Sequence, residues 1–218
     1  MLNQRKLATD DAIGPLGECH PLLAQLGSAD GLFTLSGVTA ALCLPRVESL
    51  DGLGRFLEAY RTQILLMLEW PAILRAHQHA SRNETRELVS LDAEVNVHAQ
   101  HADLASASRR VGRSQLERLR PLRDARVVQR YLRAVEEGRA QAWHTLVFGL
   151  TLAVYSLPVR QGLLSYAGQT LRGFIQAAAR PLRLSVHECG VLMDGLNAEL
   201  PGRLEAMLQA QSTPAERA

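Results

Sequence analysis

Pro158 divides the most apolar stretch of this chain, and that division constrains the fold more than any other feature. Ahead of it, Trp143, Leu146, Val147, Leu150 and Val154 recur every three or four residues, the spacing that lines one face of a helix. That helix must stop before Pro158, which suits the first position of a second helix, where its missing N–H costs nothing. Leu163, Ala167, Leu171, Phe174, Ile175 and Ala178 form the second helix's apolar stripe, and Pro181 ends it. The stretch from Trp143 to Val159 is interrupted by His144, Ser156 and Pro158. It falls short of the roughly 20 residues needed to span a bilayer. It therefore predicts buried core helices and no membrane partner.

The same periodicity recurs upstream. Leu57, Tyr60, Ile64, Met67 and Leu68 share one helical face, and Trp70-Pro71 predicts a break or kink after it. Ser81 with Glu84 predicts a capping box opening a helix that carries Leu88, Leu91 and Val95. Asp103 or Ser106 starts another, with Leu104, Ala107 and Val111 on one side and Pro121 at its end. Asp124 caps a helix bearing Val127, Val128, Tyr131, Leu132 and Val135, which Gly138 closes. Ser185 and Glu188 predict a second capping box before Val191, Leu192 and Leu196. No segment reads as a strand. Aromatics make up only 5% of the chain, so Leu and Ala must fill the core, which suits packed helices better than sheets. The expectation is one all-α domain over residues 1–218 with about ten helices and flexible ends at 1–14 and 209–218.

The formal net charge of +2 does not imply a nucleic-acid partner. Lys6 is the only lysine, so nearly every positive charge is a guanidinium. Codon usage in a GC-rich genome accounts for that bias, and arginine also suits interface ion pairs better than lysine. Ten arginines fall between Arg109 and Arg139, against Glu117, Asp124, Glu136 and Glu137. We read this stretch as a solvated helical face that pairs locally or docks an acidic partner. The alternative is a helical nucleic-acid-binding regulator using residues 109–139, although only Tyr131 there is aromatic.

Cys19, Cys43 and Cys189 are odd in number and widely spaced, which gives no zinc or disulfide framework. Reduced thiols in a cytoplasmic protein are expected, and the polar run from Met1 to Asp11 does not read as a signal peptide. A metal-dependent or thiol enzyme would have to use scattered residues. His77 and His79 are two apart and diverge on a helix. His98 and His101 could share a face, but two ligands do not make a selective site. His187 and Cys189 sit in the second capping box, and no third residue orients them. No glycine-rich phosphate loop, nucleophile elbow or two-histidine zinc motif is present. The expectation is a non-catalytic protein with no cofactor and no metal site, in which His144 is a hydrogen-bonded, partly buried structural residue.

One ordered series of motifs stands out. Trp70-Pro71-Ala72-Ile73-Leu74-Arg75-Ala76-His77 is followed by Leu91-Asp92, by Ala107-Ser108 and by Gly112-Arg113. Then come His144 with Val147-Phe148-Gly149-Leu150, and Pro158 opening a helix with Tyr166, Leu171 and Ala177-Ala178-Ala179-Arg180. Over about residues 20–200 this series resembles the urease accessory protein family UreF. The resemblance implies an all-helical protein that dimerises and binds a UreD-type (UreH) partner. With that partner it would recruit the UreG GTPase to apo-urease for nickel insertion, holding no obligatory metal or nucleotide itself.

Arg180, Tyr166, Arg113, Asp92 and His144 are the partner-contact candidates. Tyr166 and Arg180 are fourteen apart, which at 100° per residue sets them within about 40° of each other. We expect them on one face, with Leu163 and Phe174 on another. Arg180 would answer an acidic partner there, or be buried and bond the carbonyls at the helix C-terminus. Ser108 and Gly112, four apart, read as small residues for close helix packing, with Arg113 beside them at the surface. Asp92 would cap, pair with an arginine or touch a partner.

Overall fold

The structure, a computed structural model, describes residues 38–40, 42–98 and 102–212. Its helices are α1 (Leu50–Ala59), α2 (Trp70–Ser81), α3 (Thr85–His98), α4 (Ala102–Arg118), α5 (Arg126–Glu136), α6 (His144–Val154), α7 (Val159–Ala179) and α8 (Val186–Ser212). A wider helical segment, Tyr60–Glu69, joins α1 to α2 without interruption. The described residues contain no strand, so the fold is all-α, with eight α-helices where about ten were expected. Part of the difference is that α8 runs through Pro201 to Ser212, so residues 209–212 belong to that helix.

The central element is α6, in which every residue from His144 to Leu152 is buried. A helix apolar on all sides must be surrounded. Here α2 and α4 pack along it and α7 touches it. Gly149 permits the α2 contact, because a Cβ there would stand 2.4 Å from the Ile73 carbonyl oxygen. Two apolar clusters share α2 and α6 as a common wall. One holds Leu53, Phe56 and Tyr60 with Trp70, Phe148, Leu163, Phe174 and Leu200. The other holds Ala76 and Ala80 with Leu88, Leu91, Tyr131, Leu132, Trp143 and Leu146.

Trp70-Pro71 does not break the longest helical run among the described residues. Proline has no N–H, and its ring collides with the carbonyl four residues back in an α-helix. The preceding ten residues instead wind wider, with the Trp70 N–H donating to the Leu65 carbonyl five residues back. The wider winding changes which face is buried. Tyr60, Leu65 and Trp70, five apart, lie in the core, whereas Met67 and Leu68 are 70% and 54% exposed. The face expected from α-helical spacing therefore holds at Leu57 and Tyr60, holds in part at Ile64, and is lost at Met67 and Leu68.

Helix ends follow local chemistry only in part: α4 starts at Ala102, ahead of both Asp103 and Ser106, and Pro158 is the residue before α7, not its first. Ser185 and Glu188 form the expected capping box: the Ser185 N–H donates to Glu188 Oε2 at 2.8 Å and the Glu188 N–H to Ser185 Oγ at 3.2 Å. Gly138, with φ +74°, turns the chain after α5. Ser81 does not cap α3, because α2 extends through it and its hydroxyl donates back to the His77 carbonyl. Asp124 does not cap α5, which starts after Ala125 with no side-chain cap.

Candidate functional site

The short segment Gln141–His144 leads into α6 and is held by side chains from two other helices. Asp92 on α3 accepts from the Gln141 N–H at 2.6 Å, the Ala142 N–H at 3.0 Å and the Tyr131 hydroxyl at 2.5 Å. Its own carbonyl accepts from the Trp143 indole N–H. Burial pushes the Asp92 carboxyl above its usual range, and these donors pull it back part of the way. Ser108 on α4 completes the frame, its Oγ accepting from the His144 N–H at 3.2 Å. Ala142 adopts φ +58° within the segment. Gly112, one turn beyond Ser108, lets α4 lie directly against it: a Cβ there would come within 1.9 Å of the Ala142 carbonyl oxygen.

The outer side of this frame is basic. Arg109 places its guanidinium over the Trp143 ring, 5.5 Å from the centroid. Arg113 reaches the Gln141 carbonyl with Nε at 3.4 Å. Together with Arg110, Ser106 and Gln141 they line a concavity of about 480 Å³. Arg113 also lines a second one of about 270 Å³, floored by Leu116, Leu132 and Val135. Glu117 and Glu136 edge the second concavity, and both are bound by Arg120, at 2.6 and 2.7 Å.

Inside the first apolar cluster lies a polar group of a different kind. Glu69 is buried and accepts from the Tyr60 hydroxyl at 2.7 Å. Burial pushes its carboxyl up to about 7 against the pull of that bond. Tyr166 also faces this carboxylate, and burial first, then the carboxylate's charge, raises its hydroxyl well above the ordinary tyrosine range. By geometry the Tyr166 hydroxyl makes no hydrogen bond. The His144 ring lies 5.6 Å from that of Tyr166, with neither ring nitrogen partnered. Burial pushes its pKa down to about 4. Nearby, buried Arg61 bridges Glu58 and Glu199, tying the wide segment to α8.

The five candidate residues thus divide. Asp92, Tyr166 and His144 are buried to within 1% of full coverage and act on the framework of this chain. His144 is fully buried with an unbonded ring, where a partly buried, hydrogen-bonded one was expected. Arg113 and Arg180 are exposed. Tyr166 and Arg180 do not share an accessible face: Tyr166 lies in one buried stripe with Leu163 and Phe174. Arg180 follows the last turn of α7, beyond that packing, so the alternative of a buried arginine closing the helix fails as well. Ser108 and Gly112 pack as expected. His101 and the side chain of His98 lie outside the described residues, and no cluster of three metal-binding side chains occurs among the described ones. Among the described residues no helix is long and apolar enough to cross a membrane.

Sequence reasoning missed Arg109 and Arg110 as individuals, although no acid occurs between Asp103 and Glu117 to neutralise them. It also missed Glu69, whose signal is a lone carboxylate inside the apolar run Ile64–Trp70.

A search of curated proteins gives no match to this chain. The family model UreF matches residues 47–194, a span that takes in α1 through the first third of α8 and every element of the Asp92 frame. That match covers more than half of the sequence, and the chain belongs to UreF, a family of urease accessory proteins.

Proposed function

We propose that this chain is a cytoplasmic, non-catalytic scaffold for urease maturation. It binds a UreD/UreH-type accessory protein, and the pair recruits a UreG-type GTPase to apo-urease so that nickel is inserted. Nickel is the cargo of this process, delivered by the GTPase. The scaffold acts as a homodimer. The observation that carries this reading is the family match over residues 47–194. Further support comes from the placement of the motif residues. Asp92, Ser108, Gly112 and Gly149 all build one rigid helical frame, which leaves the exposed arginines of α4 to meet other proteins.

The test is co-expression of urease subunits and the remaining accessory proteins with and without this chain. Urease activity and nickel content per active site should depend on the chain, and it should co-purify with the UreD/UreH-type protein and then the GTPase. Light scattering of the purified chain reads its oligomeric state. Full urease activation without the chain, together with no association, overturns the proposal.

A further inference from the structure

The two concavities meet at Arg113, which lines both, and together they make a groove with a chemical polarity. At one end Arg109, Arg110 and Arg113 project from one side of α4, spanning about 100° of its circumference. None of the three has a carboxylate partner among the described residues, unlike Arg120, Arg139 and Arg75. Two of them are oriented by the protein itself, Arg109 on the Trp143 ring and Arg113 on the Gln141 carbonyl. Like charges held together without a counter-charge repel, and the arrangement becomes favourable when an anion supplies it. Arg113 also forms the boundary of the neighbouring trough, whose floor is apolar. At the far end of that trough the single Arg120 pairs with both Glu117 and Glu136, whose two charges exceed its one, so the groove is positive only at the Arg109–Arg113 end.

We propose that this groove docks an acidic segment of a partner protein, with carboxylates seated in Arg109, Arg110 and Arg113 and an apolar side chain in the trough over Leu116, Leu132 and Val135. The proposal rests on the reading of this chain as a docking scaffold and names the chemistry of one docked segment. Guanidinium forks match carboxylates in pairs of parallel hydrogen bonds. The same forks match phosphates, but the backbone N–H groups of Gln141, Ala142 and His144 that could complete a phosphate cradle are already bound by Asp92 and Ser108. A nucleic-acid strand would use exposed aromatic platforms, whereas Trp143 is buried beneath Arg109.

The full chain would be titrated into a labelled peptide carrying a run of glutamates followed by leucine, read by fluorescence anisotropy. The comparisons are the same peptide with glutamines, inorganic phosphate and a short DNA duplex as competitors. Arg110→Glu with Arg113→Glu should weaken peptide binding by about tenfold or more, because it places like charges at the contact. Arg110→Gln with Arg113→Gln should weaken it as well. Arg130→Glu with Arg133→Glu makes the same charge change on the exposed face of α5 and should alter binding by less than about twofold. Absence of binding by the native chain, equal binding of the glutamine peptide, equal loss in both reversed variants, or displacement by phosphate or duplex overturns the proposal. Urease activation by the native chain is scored separately. Its failure removes the scaffold reading, while failure of peptide binding alone removes only the groove.

Discussion

Glu69 and His144 place two titrations of opposite sign in the same core, and their removal should be visible in how stability varies with pH. The Glu69 carboxyl moves from 4.5 in an unfolded chain to about 7 in the fold. Between those values the unfolded chain gives up its proton first, so stability falls as pH rises. The loss is complete above about 7 and amounts to about 3 kcal/mol. The His144 ring moves the other way, from 6.5 to about 4. Here the unfolded chain takes up the proton first, so stability falls as pH drops from 6.5 to about 4, again by about 3 kcal/mol. Both groups are buried in the core, where solvent ions screen them little.

Between about pH 4.5 and 6.5 the two slopes cancel, and these residues leave the native protein's stability nearly flat. Glu69→Gln keeps an acceptor for the Tyr60 hydroxyl and removes one slope. Its stability should then rise by about 3 kcal/mol from pH 4 to 6.5 on the His144 slope that remains. Above pH 7 it should exceed the native protein by a similar amount. His144→Leu removes the other slope and should lose stability from pH 4.5 to 7. Urea unfolding followed by circular dichroism across pH 4 to 8 measures all of these curves. A difference between Glu69→Gln and native protein that stays constant across that range would falsify the assignment of a protonated buried carboxyl.

Three further substitutions test the frame and the helix ends, each by shift of the urea midpoint. Gly112→Ala drives a methyl group into the Ala142 carbonyl, which backbone cannot easily evade, and should cost about 3 kcal/mol. Asp92→Ala strands the Gln141 and Ala142 N–H groups and the Tyr131 hydroxyl and should cost about 3 to 5 kcal/mol. A loss below about 1 kcal/mol in either would mean that the segment before α6 is not held as described. Ser185→Ala removes one arm of the capping box at α8 and should cost about 1 kcal/mol, with Glu188 returning toward the ordinary carboxylate range.

What could be read from the sequence depended on the reach of each interaction. The α6–α7 core was legible because apolar spacing and Pro158 act within a few residues. The same holds for Gly138 and for Ser185 with Glu188, whose partners are three apart. Asp92 was ambiguous because its partners stand 39 to 51 residues away, and nothing local distinguishes a frame-holding carboxylate from a capping one. Ser81 and Glu84 carry the letters of a capping box, but α2 extends far enough to claim Ser81. The angle between Tyr166 and Arg180 was sound arithmetic applied to the wrong question. It compares two residues without locating the buried stripe, whose centre lies on the Leu163–Phe174 side of Tyr166. The wide turn before Pro71 was invisible because a proline announces that an α-helix must change, and only the packing decides how.

The coupling between frame and groove has a consequence for how this protein meets others. Arg109 is held by a ring whose indole N–H is bonded to Asp92's own carbonyl, and Arg113 by a carbonyl whose neighbouring N–H is bonded to Asp92's carboxylate. Asp92→Ala keeps the backbone carbonyl that holds the Trp143 indole, and Arg109 with it, but frees the Gln141–Ala142 peptide that orients Arg113, so it should lower docking through Arg113 together with stability. Loss of the arginines' charge should lower docking alone, since Arg110 and Arg113 are exposed and carry no ion pair among the described residues. A chain in which Asp92→Ala retains native peptide affinity at temperatures where it remains folded would show that Arg113 does not need the frame. The opposite outcome places the motif residues where their burial already points, as the support that keeps a basic surface in register.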